Sequence, residues 1–113
     1  MARLNHRRKS KKEEPFYSLS EVKRLVRSGG ESVRIKSSSQ LGALQDFQWG
    51  EKEIKQAILG LGKRDFRKTA DSMRNPGTKL DFYGGCYKST EFYTHFHIQN
   101  STLVVSAFKM NRD

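Results

Sequence analysis

Several things are scarce in this chain, and each scarcity closes a class of function. There is one cysteine, Cys86, which excludes a disulfide framework and a cysteine zinc site and suits a reducing compartment. No apolar run approaches the ~20 residues of a membrane span, and the N-terminus has no apolar middle of a secretion signal. The expectation is a cytoplasmic protein that does not engage a membrane. No Gly-x-x-x-x-Gly-Lys-Ser/Thr run is present to cradle a nucleotide phosphate, and no Gly-x-Ser-x-Gly elbow to hold a nucleophile. His95 and His97 are close in sequence, but no carboxylate or cysteine stands at a companion spacing, so neither a metal site nor a small-molecule cofactor is expected. Proline is limited to Pro15 and Pro76, and acid is outnumbered.

What is abundant is positive charge. There are 22 Lys and Arg against 12 Asp and Glu, a formal net charge of +10. Residues 1–14 hold six basic side chains and two glutamates, a net +4, which leaves +6 for the rest. The body of the chain is therefore basic in its own right and attracts polyphosphate. Nucleic acid is the partner class that follows. With 35% hydrophobic residues in 113, there is room for one modest core. Residues 1–15 read as a basic disordered arm, and 16–113 as a single domain.

Ser18 and Glu21 have the Ser-x-x-Glu spacing of a capping box, with Tyr17 and Val22 placed for a hydrophobic staple. Leu19, Val22, Leu25 and Val26 follow at helical spacing, and Gly29-Gly30 ends the run. Residues 32–37 alternate as a short strand, and 37–44 read as a loop or a weak second strand. A second helix follows Gly50, with Ile54, Ala57, Ile58 and Leu61 on one stripe. Segment 64–72 fits either a short helix or a strand, and Pro76-Gly77 is a turn. Three alternating segments, 79–88, 91–98 and 102–109, predict an antiparallel meander, with Gly84-Gly85 marking a bulge or a close backbone approach. Helices followed by strands give an α+β fold with helices on one face of the sheet.

The other face is left open to bind. Along 91–98, Phe92, Thr94, Phe96 and Ile98 share one side, and Glu91, Tyr93, His95 and His97 the other. Lys68, Tyr93, His95 and Lys109 are the candidate catalytic residues, with Arg67, Tyr83, Tyr87 and His97 as RNA contacts. Metal-free RNA cleavage needs a base for the 2′-hydroxyl proton, an acid for the leaving oxygen and cations around the phosphate. Aromatic rings add stacking platforms. His95, with an ordinary imidazole pKa, would be the proton shuttle and would give the pH–rate profile a limb between about pH 5.5 and 7.5. A non-catalytic RNA- or ribosome-binding protein would use the same face without turnover. A DNA-reading regulator is disfavoured, because neither predicted helix exposes the arginines and asparagines of base readout.

The order of several short motifs resembles the MqsR toxins, the motility quorum-sensing regulators. Phe16-Tyr17-Ser18-Leu19-Ser20-Glu21-Val22-Lys23-Arg24-Leu25-Val26 is similar to their opening. Leu61 followed by Asp65-Phe66-Arg67-Lys68-Thr69 resembles their Leu…Asp-Phe-Tyr-Lys-Ser segment. Asp81-Phe82-Tyr83, with Tyr93 twelve residues after Asp81, follows their spacing, and Val104 to Lys109 resembles their terminal Val-Ser-Phe-Lys with one residue extra. The resemblance implies a RelE-like α+β fold and a metal-independent, sequence-selective endoribonuclease that cleaves messenger RNA, free or on the ribosome, and arrests growth. It also implies a cognate antitoxin partner. By position the family's functional lysine falls on Lys68, its tyrosine on Tyr93 and its C-terminal lysine on Lys109. Leu80 replaces the family's glutamine, His95 stands where a basic residue is usual, and the basic arm extends beyond the usual start.

Overall fold

The first helix begins where its cap dictates. In the computed structural model, which describes residues 14–111, α1 spans Leu19–Ser28. Ser18 is held extended, with its Oγ accepting from the Glu21 N–H at 3.3 Å. Only half of the expected capping box forms, because the Glu21 carboxylate turns to Arg24 instead. Val22, Leu25 and Val26 are buried along one stripe, and Gly29 closes the helix at φ 65°. The predicted arm lies outside the described residues except for positions 14 and 15.

Strand β1 (Val33–Ile35) is short and runs parallel to the last strand. The next segment corrects the sequence reading, since Ser37–Phe47 is a helix, α2. Its Ser-rich sequence buries only Ser39 and Ala43, so it lacks the apolar stripe that betrays a helix. It is fixed from outside. β1 pairs with only three residues of β5 (Thr102–Met110), and α2 lies along the length that remains. Ser39 Oγ donates to the Val105 carbonyl at 2.9 Å, Ser38 Oγ to that of Ser106 at 3.3 Å, and Asp46 Oδ2 accepts from the Met110 N–H at 2.8 Å. A Cβ on Gly42 would come within 2.6 Å of the Phe108 carbonyl oxygen. Glycine is what lets the helix approach the strand so closely.

Helix α3 (Glu51–Leu59) starts at Gly50, whose N–H donates to Glu53 Oε1 at 2.9 Å, and buries Ile54, Ala57 and Ile58. The ambiguous segment resolves as a strand, β2 (Phe66–Asp71). β3 (Lys79–Tyr87), β4 (Thr90–Gln99) and β5 form the expected meander. Its two turns place Lys88-Ser89 and Asn100-Ser101 at positive φ throughout, the handedness that two-residue hairpins require. The sheet order is β1-β5-β4-β3-β2, antiparallel except for β1 with β5.

Phe92, Phe96, Phe108 and Tyr83 line the inner sheet face and meet Leu25, Ile54, Ile58 and Leu61 from the helical side. This is the α+β architecture expected. Asp81 is fully buried among these residues. It accepts from the N–H groups of Phe16 and Tyr17 at 3.0 and 2.8 Å and from the Thr69 hydroxyl, so it ties the chain entering α1 to the sheet.

Candidate active site on the open sheet face

Strand register builds the site on the face away from the helices. Tyr93 on the central strand β4 is flanked by Gly84 on β3 and Lys109 on β5, and His95 by Phe82 and Ala107. Lys68 on β2 stands opposite Phe82. Cross-strand partners project to the same side, so these residues form two adjacent rows. Lys109 Nζ lies 5.4 Å from the Tyr93 ring centre and Lys68 Nζ 5.0 Å from that of Phe82. The Tyr93 and His95 rings are 5.9 Å apart, and the Phe82 and His95 rings 4.7 Å.

A bulge between Phe66 and Lys68 lets two consecutive side chains reach this face. The Arg67 guanidinium crosses over Gly84, with Nη2 donating to the Gly84 carbonyl at 3.4 Å. A Cβ at Gly84 would sit 2.7 Å from that nitrogen. The expected close approach is therefore real, and it is the seat of an arginine next to Tyr93. The structure thus brings Arg67, Lys68, Tyr93, His95 and Lys109 together.

Burial sets the protonation states of the central pair. It pushes the Tyr93 phenol up, so the group keeps its proton at neutral pH. Burial also lowers His95 to about 4, helped by the nearby charges of Lys109, His97 and Lys36. This departs from the expectation of an imidazole with an ordinary pKa, because the histidine is half-buried among cations rather than exposed. At neutral pH the pair is a protonated phenol beside an uncharged imidazole.

Two expected RNA contacts are not on this face. Tyr83 is fully buried, stacked on Phe96 at 5.3 Å and edge-on to Phe66. Tyr87 shares its side of β3 and packs edge-on against Trp49 at 5.2 Å. The register turns odd-numbered residues of β3 inward, because Asp81 is drawn there by its three donors. Phe82, which no sequence signal singled out, takes the outward place. The alternation of β3 was the available signal, but an inward carboxylate and outward Leu80 and Phe82 reverse the usual hydrophobic pattern.

His97 continues the row beyond His95. It is only 8% exposed and sits in a cleft of about 530 Å³ between the β3–β4 surface and the 72–78 loop. Among the described residues no three His, Cys, Asp or Glu side chains gather as metal ligands, and no helix is long and apolar enough to cross a membrane.

Residues 14–110 match the family described as motility quorum-sensing regulator, toxin of MqsA. The chain belongs to the MqsR toxin family. No curated protein matches it. As an MqsR-family member it is a toxin of a toxin–antitoxin system, and an antitoxin is its implied partner. Lys68, Tyr93 and Lys109, the positions to which the family resemblance pointed, fall on three different strands and meet on one face.

Proposed function

We propose that the protein is a metal-independent endoribonuclease that cleaves messenger RNA in the cytoplasm and is neutralised by its cognate antitoxin. The observation that carries this reading is the Tyr93–His95 pair encircled by Arg67, Lys68 and Lys109. Uncharged His95 takes the proton of a 2′-hydroxyl. The 2′-oxygen attacks the phosphorus, and protonated Tyr93 donates to the departing 5′-oxygen. The three cationic side chains face the phosphate oxygens, where negative charge grows in the transition state. Although a pKa of about 4 makes His95 a weak base in the free protein, a bound phosphodiester brings negative charge beside it and raises its proton affinity.

The test is turnover of a labelled RNA by the purified protein in the presence of a metal chelator. The expected products are discrete fragments ending in 2′,3′-cyclic phosphate, with Tyr93→Phe slower by about 10²-fold or more at unchanged thermal stability. Salt-sensitive RNA binding without any turnover overturns the enzyme reading and leaves an RNA-binding toxin. Co-expressed antitoxin should restore growth.

A further inference from the structure

The cleft that holds His97 adjoins the proposed reaction centre without belonging to it. His95 is common to both. Phe82 and His97 complete the floor, the 72–78 loop forms one wall, and Lys36 and Arg74 stand at the rim. The loop is braced by its own bonds, Ser72 N–H to the Thr78 carbonyl at 2.8 Å and Thr78 N–H to that of Asn75 at 2.9 Å. Its volume of about 530 Å³ is in the range of small-ligand sites, roughly 300–1,000 Å³.

His97 supplies the specific feature. Its Nε2 is 3.3 Å from Gln99 Oε1, which can only accept, so Nε2 carries the proton and Nδ1 is an acceptor. That Nδ1, like the Nδ1 of His95, is buried and has no hydrogen-bond partner among the described residues. An unmatched buried acceptor is destabilising, and the cleft that its ring lines, with an aromatic floor, Lys36 and Arg74 at the rim and Asp71 already engaged by Lys79, says what would satisfy it. The fitting group is flat, carries an N–H on its edge and is attached to a phosphate.

We propose that this cleft is a subsite for an unpaired RNA base beside the scissile phosphate, with the His97 ring, which lines the cleft, turning its otherwise buried Nδ1 to accept a hydrogen bond from the base edge and Phe82 offering its ring for stacking. The inference rests on the RNA-cleavage reading and adds to it the residue that selects the cut site. A base with an N–H at that position satisfies Nδ1, whereas one that presents a carbonyl there meets a second acceptor.

The test uses the full chain with ¹⁵N-labelled histidine and non-cleavable 2′-O-methyl RNA pentamers carrying each base, or an abasic residue, at each position. At one position the base identity should change Kd by about tenfold. The His97 Nδ1 resonance should move with bases that present an N–H and keep its free value with the abasic residue. His97→Leu should flatten that preference to within about twofold, and the wild-type spectra decide the matter should the variant not fold. If His97 Nδ1 ignores the base at every position while the protein still cuts RNA, the subsite is overturned and the nuclease stands. If it responds to one base in a protein that cuts no RNA, the subsite stands and the nuclease is overturned.

Discussion

His95 is the residue at which burial and chemistry meet. Its pKa of about 4 predicts that kcat/KM, which reports the free protein, stays flat from neutral pH down to about 5 and falls only toward 4. The limb in kcat should lie higher, because bound RNA places phosphate charge beside the imidazole. A kcat/KM limb near 6.5 would reject His95 as the base in this environment. Stability gives an independent check. Because the folded pKa lies below the unfolded one, the unfolded chain binds more protons between about pH 4 and 6.5. Stability is therefore complete above 6.5 and declines as pH falls toward 4, with His97 acting in the same direction. His95→Gln should lessen this acid loss in urea titrations at several pH values. Gly84 permits a separate test. Gly84→Ala would put a methyl against the Arg67 guanidinium at 2.7 Å, and a flexible side chain can swing away. The fold should lose less than about 1 kcal/mol, while cleavage falls at least tenfold if Arg67 is needed where it sits. An unchanged rate would show that Arg67 acts from elsewhere.

Among the elements, those with an apolar stripe or a clean alternation were legible: α1, α3 and the three-strand meander. α2 was not. Ser37–Phe47 has little periodic apolar content, and its helix is held by polar bonds to the exposed edge of β5, which no local pattern encodes. The same limit explains the candidate site. Tyr93 and His95 could be placed by alternation along β4, whereas Lys109 reaches this face only because β5 carries an extra residue at Ser106, which reverses the parity set by buried Leu103 and Val105. Tyr83 and Tyr87 needed the parity of β3, which buried Asp81 decides. Two substitutions probe these devices. Gly42→Ala drives a Cβ into the Phe108 carbonyl. A backbone atom cannot step aside, so α2 must lift, at a cost of about 1–3 kcal/mol; a variant as stable as wild type would refute the close contact. Asp81→Ala leaves the Phe16 and Tyr17 amides and the Thr69 hydroxyl without their acceptor. Bonds to a charged acceptor contribute about 1.5–3 kcal/mol each. The loss should be about 3 kcal/mol or more, with early exchange of the α1 amides in hydrogen-exchange measurements, and a loss below 1 kcal/mol would contradict the anchor.

Over the whole molecule, the positive charge can be counted in two stretches of the sequence. Residues 1–14 contribute +4 of the net +10, and the remaining +6 belongs to the chain that carries the site. The site's own cations, Arg67, Lys68 and Lys109, all lie in that second part, as does every core residue among those described. Removing residues 1–14 should therefore leave the fold and kcat at saturating RNA as they were. What should change is capture. Each phosphate contact on a single strand adds about 0.7 to the slope of log K against log salt. Deleting the six basic residues of the arm should thus flatten that slope by up to about 4, and by less where some of them touch no phosphate. The substitutions and the deletion separate by kind of effect, because Lys68→Ala and Lys109→Ala should lower the rate more than the affinity, while the deletion lowers affinity alone. Equal salt slopes for the full and shortened chains would mean that the arm makes no contact with RNA. A lower kcat at saturating RNA would mean that it reaches the scissile phosphate.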